Sequence, residues 1–184
     1  HNCMLREFVI FMTVFQQKIT DLLPNIEFCL DEPMCKHTSF KIGGPAEVMA
    51  FPETSAQLSE LINKSRLLDC EVRILGAGTN ILAPDAGISG LVICLKDCLD
   101  GMQLLDETHI CVMAGVTMTR AAIFAANHNL SGLEFAHGIP GTVGGGVYMN
   151  AGAYGGEICQ VCTRVQIMDQ EGNLRWLTNE EMEF

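Results

Sequence analysis

Two glycine-rich stretches hold most of the chemistry this sequence offers. The first, Gly76-Ala77-Gly78-Thr79-Asn80, follows directly on the β-branched run Val72 to Leu75. Glycines let consecutive N–H groups turn inward as an anion nest, and Thr79 and Asn80 add side-chain hydrogen bonds. A plain tight turn would use the same residues. A dinucleotide fingerprint of the G-x-G-x-x-G kind does not fit. Its third glycine falls on Ile81, and Pro84, Asp85 and Gly87 leave no room for the helix that must follow. The second stretch, Gly138 to Gly156, holds eight glycines among nineteen residues. Ile, Val, Tyr, Met and Ala are interleaved there, unlike a polar flexible linker. Glycine inside a packed segment means close backbone approach or positive φ. Either a flat aromatic ligand lying on the backbone or tight packing between lobes would call for that.

Cys159-Gln160-Val161-Cys162 has the spacing of a redox dithiol or half a zinc site. Zinc needs two further ligands, and the context of Cys94 and Cys98 is apolar. His109, His128 and His137 show no paired metal spacing, so no metal site is expected. The nine scattered cysteines are an odd number, several inside apolar runs, as for reduced thiols of a cytoplasmic protein. Glu134 and Tyr154 are loop residues whose types suit catalysis, packing or backbone capping. With 11 basic against 22 acidic side chains, the net charge is −11. Nucleic acid and anionic membranes are therefore poor partners. A phosphorylated ligand should be held by backbone N–H groups rather than by a basic patch.

The elements that must position these loops can be read from capping and periodicity. Phe8 to Phe15 is apolar but too short to span a bilayer, and no cleavage signal follows it. Met12 is read as a natural start, with residues 1–11 an upstream remnant. Phe15, Ile19, Leu22 and Leu23 form one helical face. Glu47 to Phe51 reads as a strand. A helix opens at Thr54, boxed with Gln57, and turns Leu58, Leu61, Ile62 and Ser65 inward. Val72 to Leu75 is the next strand, parallel to the first through a right-handed crossover. Leu91 to Leu95 is a further buried strand. His109 to Ala114 reads as a strand, and Thr117 caps a helix from Met118 to about Asn127. Arg164 to Met168 and Leu174 to Leu177 make a hairpin about Gln170-Glu171-Gly172-Asn173. Thr178 and Glu181 box the start of a helix that the chain end cuts off. The expected organisation is an N-terminal extension and helix (1–29), a small parallel α/β lobe (30–95) and a more antiparallel α+β lobe (96–184), with a soft boundary near Asp97 to Gly101.

Taken in order, His37-Thr38-Ser39-Phe40-Lys41-Ile42-Gly43-Gly44, Ile74 to Leu82, Gly132-Leu133-Glu134-Phe135, Ile139 to Gly145 and Asn150 to Gly155 resemble the UDP-N-acetylenolpyruvoylglucosamine reductases of bacterial cell-wall synthesis. The resemblance runs from about residue 15 to the end. It implies an α+β fold, the two-lobed FAD-binding domain of the vanillyl-alcohol oxidase and p-cresol methylhydroxylase type. It implies FAD as cofactor, NADPH as reductant and UDP-GlcNAc-enolpyruvate as substrate of the full-length enzyme. By the same resemblance Gly76, Ala77, Gly78, Thr79, Asn80 and Ile81 hold the pyrophosphate. Pro140, Gly141, Thr142, Gly144, Gly145, Asn150, Ala151, Gly152 and Ala153 line the flavin cleft, and Leu75 and Gly115 join the cofactor-binding set. The family's catalytic arginine, serine and glutamate are expected beyond Phe184 with the substrate domain, so no catalytic residue is assigned within the chain, which is expected to be inactive alone. An FAD-dependent oxidase of the same fold and a non-catalytic FAD-binding fragment are the alternative readings. Gly78→Val is expected to weaken FAD binding and leave the lobe folded.

Overall fold

The computed structural model describes residues 12–96 and 98–184. The reading of residues 1–11 as a remnant lies outside the described residues, as does Asp97 in the expected boundary.

Helix α1 (Val14–Leu22) opens at Thr13, whose hydroxyl accepts the Gln16 N–H while the Gln16 side chain accepts the Thr13 N–H. Ile19 and Leu23 are buried and Phe15 packs beside them, but Leu22 is exposed. Residues 15, 19 and 23 form one i, i+4 row, and Leu22 stands to the side of it. Strand β1 (Glu27–Pro33) was not expected from the sequence. It pairs antiparallel with β2 (Pro45–Phe51), Glu27 opposite Phe51 and Pro33 opposite Pro45. Its acidic residues obscure a strand pattern and suit the edge it occupies.

Helix α2 (Ser55–Leu67) buries Leu58, Leu61 and Ser65, with Ile62 half-buried. Thr54 accepts the Gln57 N–H, but the Gln57 side chain reaches Glu53 N at 2.6 Å rather than Thr54. The expected box is thus shifted by one residue. Strand β3 (Val72–Leu75) follows, then β4 (Ile88–Cys94). The sheet order is β1-β2-β4-β3, with β4 parallel to both β2 and β3. The two strands flanking α2 are parallel as expected, but β4 separates them. Four successive buried residues, Leu91 to Cys94, explain its central place. Side chains alternate across the sheet. Val48, Leu91 and Ile93 face the Ile19, Leu58 and Leu61 side, whereas Met49 and Val92 pack with Met34 and Leu75.

The second half begins with the antiparallel pair β5 (Met102–Leu104) and β6 (Ile110–Val112), the latter shorter than expected. Helix α3 (Met118–Asn127) has the expected bounds and the Thr117 cap. The stretch from Gly138 to Gly156 is not one long loop. It contains α4 (Val143–Tyr148) and the short hairpin of β7 (Gly152–Ala153) and β8 (Gly156–Glu157). Glycine's poor helix propensity hides α4 from a sequence reading. Strands β9 (Arg164–Met168) and β10 (Leu174–Thr178) form the expected hairpin. Thr178 and Glu181 do cap each other. They open a single 3-10 turn, Glu180–Met182, and Glu183 then takes φ 51°. No described helix is long and apolar enough to cross a membrane.

Candidate dinucleotide site

The turn after β3 is built by contacts on both sides. Gly78 has φ +64°, and a Cβ there would fall on the carbonyl oxygen of His37. Ser39 N donates to Gly78 O at 3.0 Å. The loop from His37 to Gly44 is braced by buried Thr38, whose hydroxyl donates to Ile42 O at 3.2 Å. Gly78→Val would therefore displace this loop as well as any ligand, so the expectation that the lobe stays intact is corrected: backbone, not solvent, occupies the space a side chain would need.

On the other side, Thr79 Oγ1 donates to Pro140 O at 3.2 Å. A Cβ on Gly76 would lie 2.7 Å from Thr142 Oγ1, and one on Gly141 3.0 Å from Thr79 Oγ1. Thr142 is buried, and its hydroxyl caps α4 by accepting the Gly145 N–H. Val143 N donates to Val116 O at 2.7 Å, Gly144 N to Ala114 O at 2.9 Å and Met118 N to Gly141 O at 3.0 Å. The two glycine stretches thus meet, with the start of α3 bound against both α4 and Gly141.

Several glycines of the second stretch serve packing. A Cβ on Gly144 would lie 2.8 Å from that of Ala114, one on Gly146 2.7 Å from Met118 Sδ, and one on Gly152 2.8 Å from Gly156 O. Gly115 sits where a Cβ would strike the Cys98 carbonyl. Asn150 (φ 42°) accepts the Cys159 N–H at 2.9 Å and donates to Glu157 at 3.1 Å, while Ala151 N reaches Gly146 O at 2.8 Å. Asn150 and Ala151 are thereby tied to α4, through Val147 O and Gly146 O.

The N–H groups of Ala77, Gly78, Thr79 and Asn80 make no hydrogen bond to another described residue, and Thr79 and Asn80 form a turn that closes on Ile81. Four successive free donors after a parallel strand suit an anion. Beside them opens a cleft of about 300 Å³ lined by Lys36, His37, Thr38, Ser39, Lys41, Gly76, Ala77, Cys94 and Lys96. These lysines were missed. The net charge argues against a basic patch, and only the fold brings Lys96 next to Lys36 and Lys41. Glu32 faces Lys36 Nζ at 3.2 Å and His37 Nε2 at 2.9 Å. The hydrogen bond with His37, and then Lys36, holds its carboxyl below the ordinary glutamate value.

The C-x-x-C pair lies at a 3-10 corner. The Asn179 side-chain amide reaches both the Cys159 and Cys162 carbonyls at 2.7 Å. A hydrogen bond to Glu157 raises the Cys159 thiol, and burial raises Cys162. Redox dithiols need the opposite shift. Glu134 accepts the Gly132 N–H at 2.8 Å. Tyr154 is exposed, and with Gly155 it forms the β7–β8 turn, both at positive φ (55° and 86°).

This arrangement is that of a flavin-dinucleotide domain, and the chain belongs to the FAD binding domain family, which matches residues 46–178. Within that class it is similar to UDP-N-acetylenolpyruvoylglucosamine reductases. It is 44% identical to that of Lactococcus lactis subsp. cremoris (strain MG1363) over 169 residues, covering 91% of this chain and 56% of the relative. It is 41% identical to that of Bacillus subtilis (strain 168), covering 84% and 50%. The solved reductase of Thermus caldophilus superposes with TM-score 0.65 at 31% identity, over 85% of this chain and 53% of that one. A chitooligosaccharide oxidase superposes with TM-score 0.67 at 14% identity, over 90% and 38%, a likeness of fold alone. The chain spans about half the length of the reductases it matches.

Proposed function

We propose that the chain is the FAD-binding part of an NADPH-dependent reductase that converts UDP-GlcNAc-enolpyruvate to UDP-N-acetylmuramate for peptidoglycan. The observation that carries this reading is the run of free N–H groups from Ala77 to Asn80, joined to the second glycine stretch through Thr79 and Pro140. These residues fit FAD. Four donors complement a diphosphate. A Cβ on Gly145 would meet nothing closer than Thr142 Oγ1 at 3.6 Å, so a flat ring can approach its backbone. When bound, FAD supplies the hydride chemistry between NADPH and the enolpyruvyl double bond. The chain's own part is to grip and orient. Leu75 to Ile81 hold the diphosphate; Gly115, Pro140, Gly141, Thr142, Gly144 and Gly145 shape the flavin side, with Asn150, Ala151, Gly152 and Ala153 behind α4. A cytoplasmic location accompanies this reading and fits the scattered cysteines, of which Cys29, Cys35, Cys70 and Cys111 form no disulfide among the described residues.

The test is a fluorescence titration of the purified chain with FAD, alongside its circular dichroism. Saturable uptake is expected. A folded chain that takes up no FAD would overturn the proposal.

A further inference from the structure

The four-stranded sheet has two outer edges, and the sequence treats them differently. The β1 edge carries Glu27, Asp31 and Glu32, turns to a φ of 51° at Asp31 and ends at Pro33. Acids, a kink and a proline guard an edge against pairing. The β3 edge lacks these devices: it reads Val72-Arg73-Ile74-Leu75, and Ile74 is 52% exposed. Among the described residues β3 pairs with β4 alone. Glu71 O accepts the Leu91 N–H at 3.0 Å, and Leu75 O accepts the Leu95 N–H at 2.8 Å. Residues 71, 73 and 75 thus turn their backbone groups to β4, and the alternation of a strand turns those of Val72 and Ile74 outward. Neither residue makes a backbone hydrogen bond to a described residue outside the sheet.

Two outward residues allow three registers of antiparallel pairing between identical strands. A register centred on Arg73 sets that guanidinium directly opposite its copy, and like charges so placed repel. A register centred on Ile74 leaves Glu71 and Arg73 opposite uncharged Ala77 and Leu75. A register centred on Val72 sets Glu71 opposite Arg73 twice over. These are the pairs without a mutual backbone bond, in which side chains come closest. Within one chain Glu71 and Arg73 already meet at 2.7 Å, and both are exposed. The four charges of two copies then alternate in sign. Val72 exchanges two N–H···O bonds with its copy, and Ile74 stands opposite Cys70. The pairing stops short of Gly76 and leaves the glycine turn open.

We propose that β3 is a self-association edge, on which two copies of this chain pair strand to strand, antiparallel and centred on Val72. The two sheets become one, and the Glu71–Arg73 pairs select a second copy over other strands.

The experiment is sedimentation equilibrium of the chain from micromolar to about millimolar concentration, the range in which so small an interface associates. The parent is compared with Glu71→Arg, with Arg73→Glu and with an equal mixture of the two. Both side chains lie at the surface, and matching melting curves verify that each variant folds. The parent is expected to dimerise reversibly, more weakly as salt is added. Each single variant faces like charges at both pairs and should associate about tenfold more weakly. The mixture sets one variant's two positive charges against the other's two negative ones, and is expected to recover parental association as a heterodimer. A parent monomeric over the whole range would overturn the proposal. So would single variants that associate as the parent does, or a mixture no tighter than its components.

Discussion

Thr79 gives its hydroxyl proton to the carbonyl of Pro140, 3.2 Å away and 61 residues further along the chain. This one bond couples the turn after β3 to the segment that enters α4. Thr79→Val keeps the shape and removes the donor. The expected cost is about 1 kcal/mol, or roughly 2 to 4 °C in melting temperature for a chain of this size. Differential scanning calorimetry checks it, and an unchanged midpoint would show that the bond contributes nothing.

Gly78 and Gly138 make opposite predictions for the same substitution. Gly78→Ala places a methyl group on the His37 carbonyl at a φ of +64°. Positive φ alone costs roughly 1 to 2 kcal/mol, and the clash adds to it. A Cβ on Gly138 would have nothing within 4 Å, so Gly138→Ala should stay within about 0.5 kcal/mol of the parent. Urea denaturation of the pair measures the difference. Equal midpoints would mean that Gly78 is not pinned by the loop from His37.

Acid should probe Glu32. His37 and Lys36 hold its carboxyl below the ordinary value in the folded chain. A depressed folded pKa stabilises fully above the unfolded value, about 4.3, and the stabilisation is lost as pH falls through the folded value. Glu32→Gln is therefore expected to be less stable than the parent at pH 7, with the gap closing below about pH 4. Melting curves of the two proteins that stay parallel from pH 7 to pH 3 would contradict this.

Asn179 holds the carbonyls of both Cys159 and Cys162 with one amide group. Asn179→Ala leaves two part-buried acceptors without that donor, a loss of about 1 to 3 kcal/mol. It should also loosen the corner, so that iodoacetamide reaches Cys162 faster than in the parent. Mass-spectrometric labelling rates read this directly; identical rates and stability would mean that the corner holds itself.

What the sequence determined by itself was short in range. Thr117 sets the start of α3 because a capping hydroxyl reaches only three residues ahead. The β9–β10 hairpin follows from its own turn, and Ile81 and Pro84 rule out a helix after Gly78 because those residues act on the adjoining backbone. The edge strand β1 stayed hidden because its acids break the pattern, and α4 because its glycines disfavour a helix that only Ala114 and Met118 make room for. Tertiary structure alone decided the order β1-β2-β4-β3, the junction of Thr79 with Pro140 and the meeting of Lys96 with Lys36 and Lys41. Each depends on which distant segments share a sheet or a cleft. Composition averages charge over the whole chain, whereas binding depends on charge within a few ångströms.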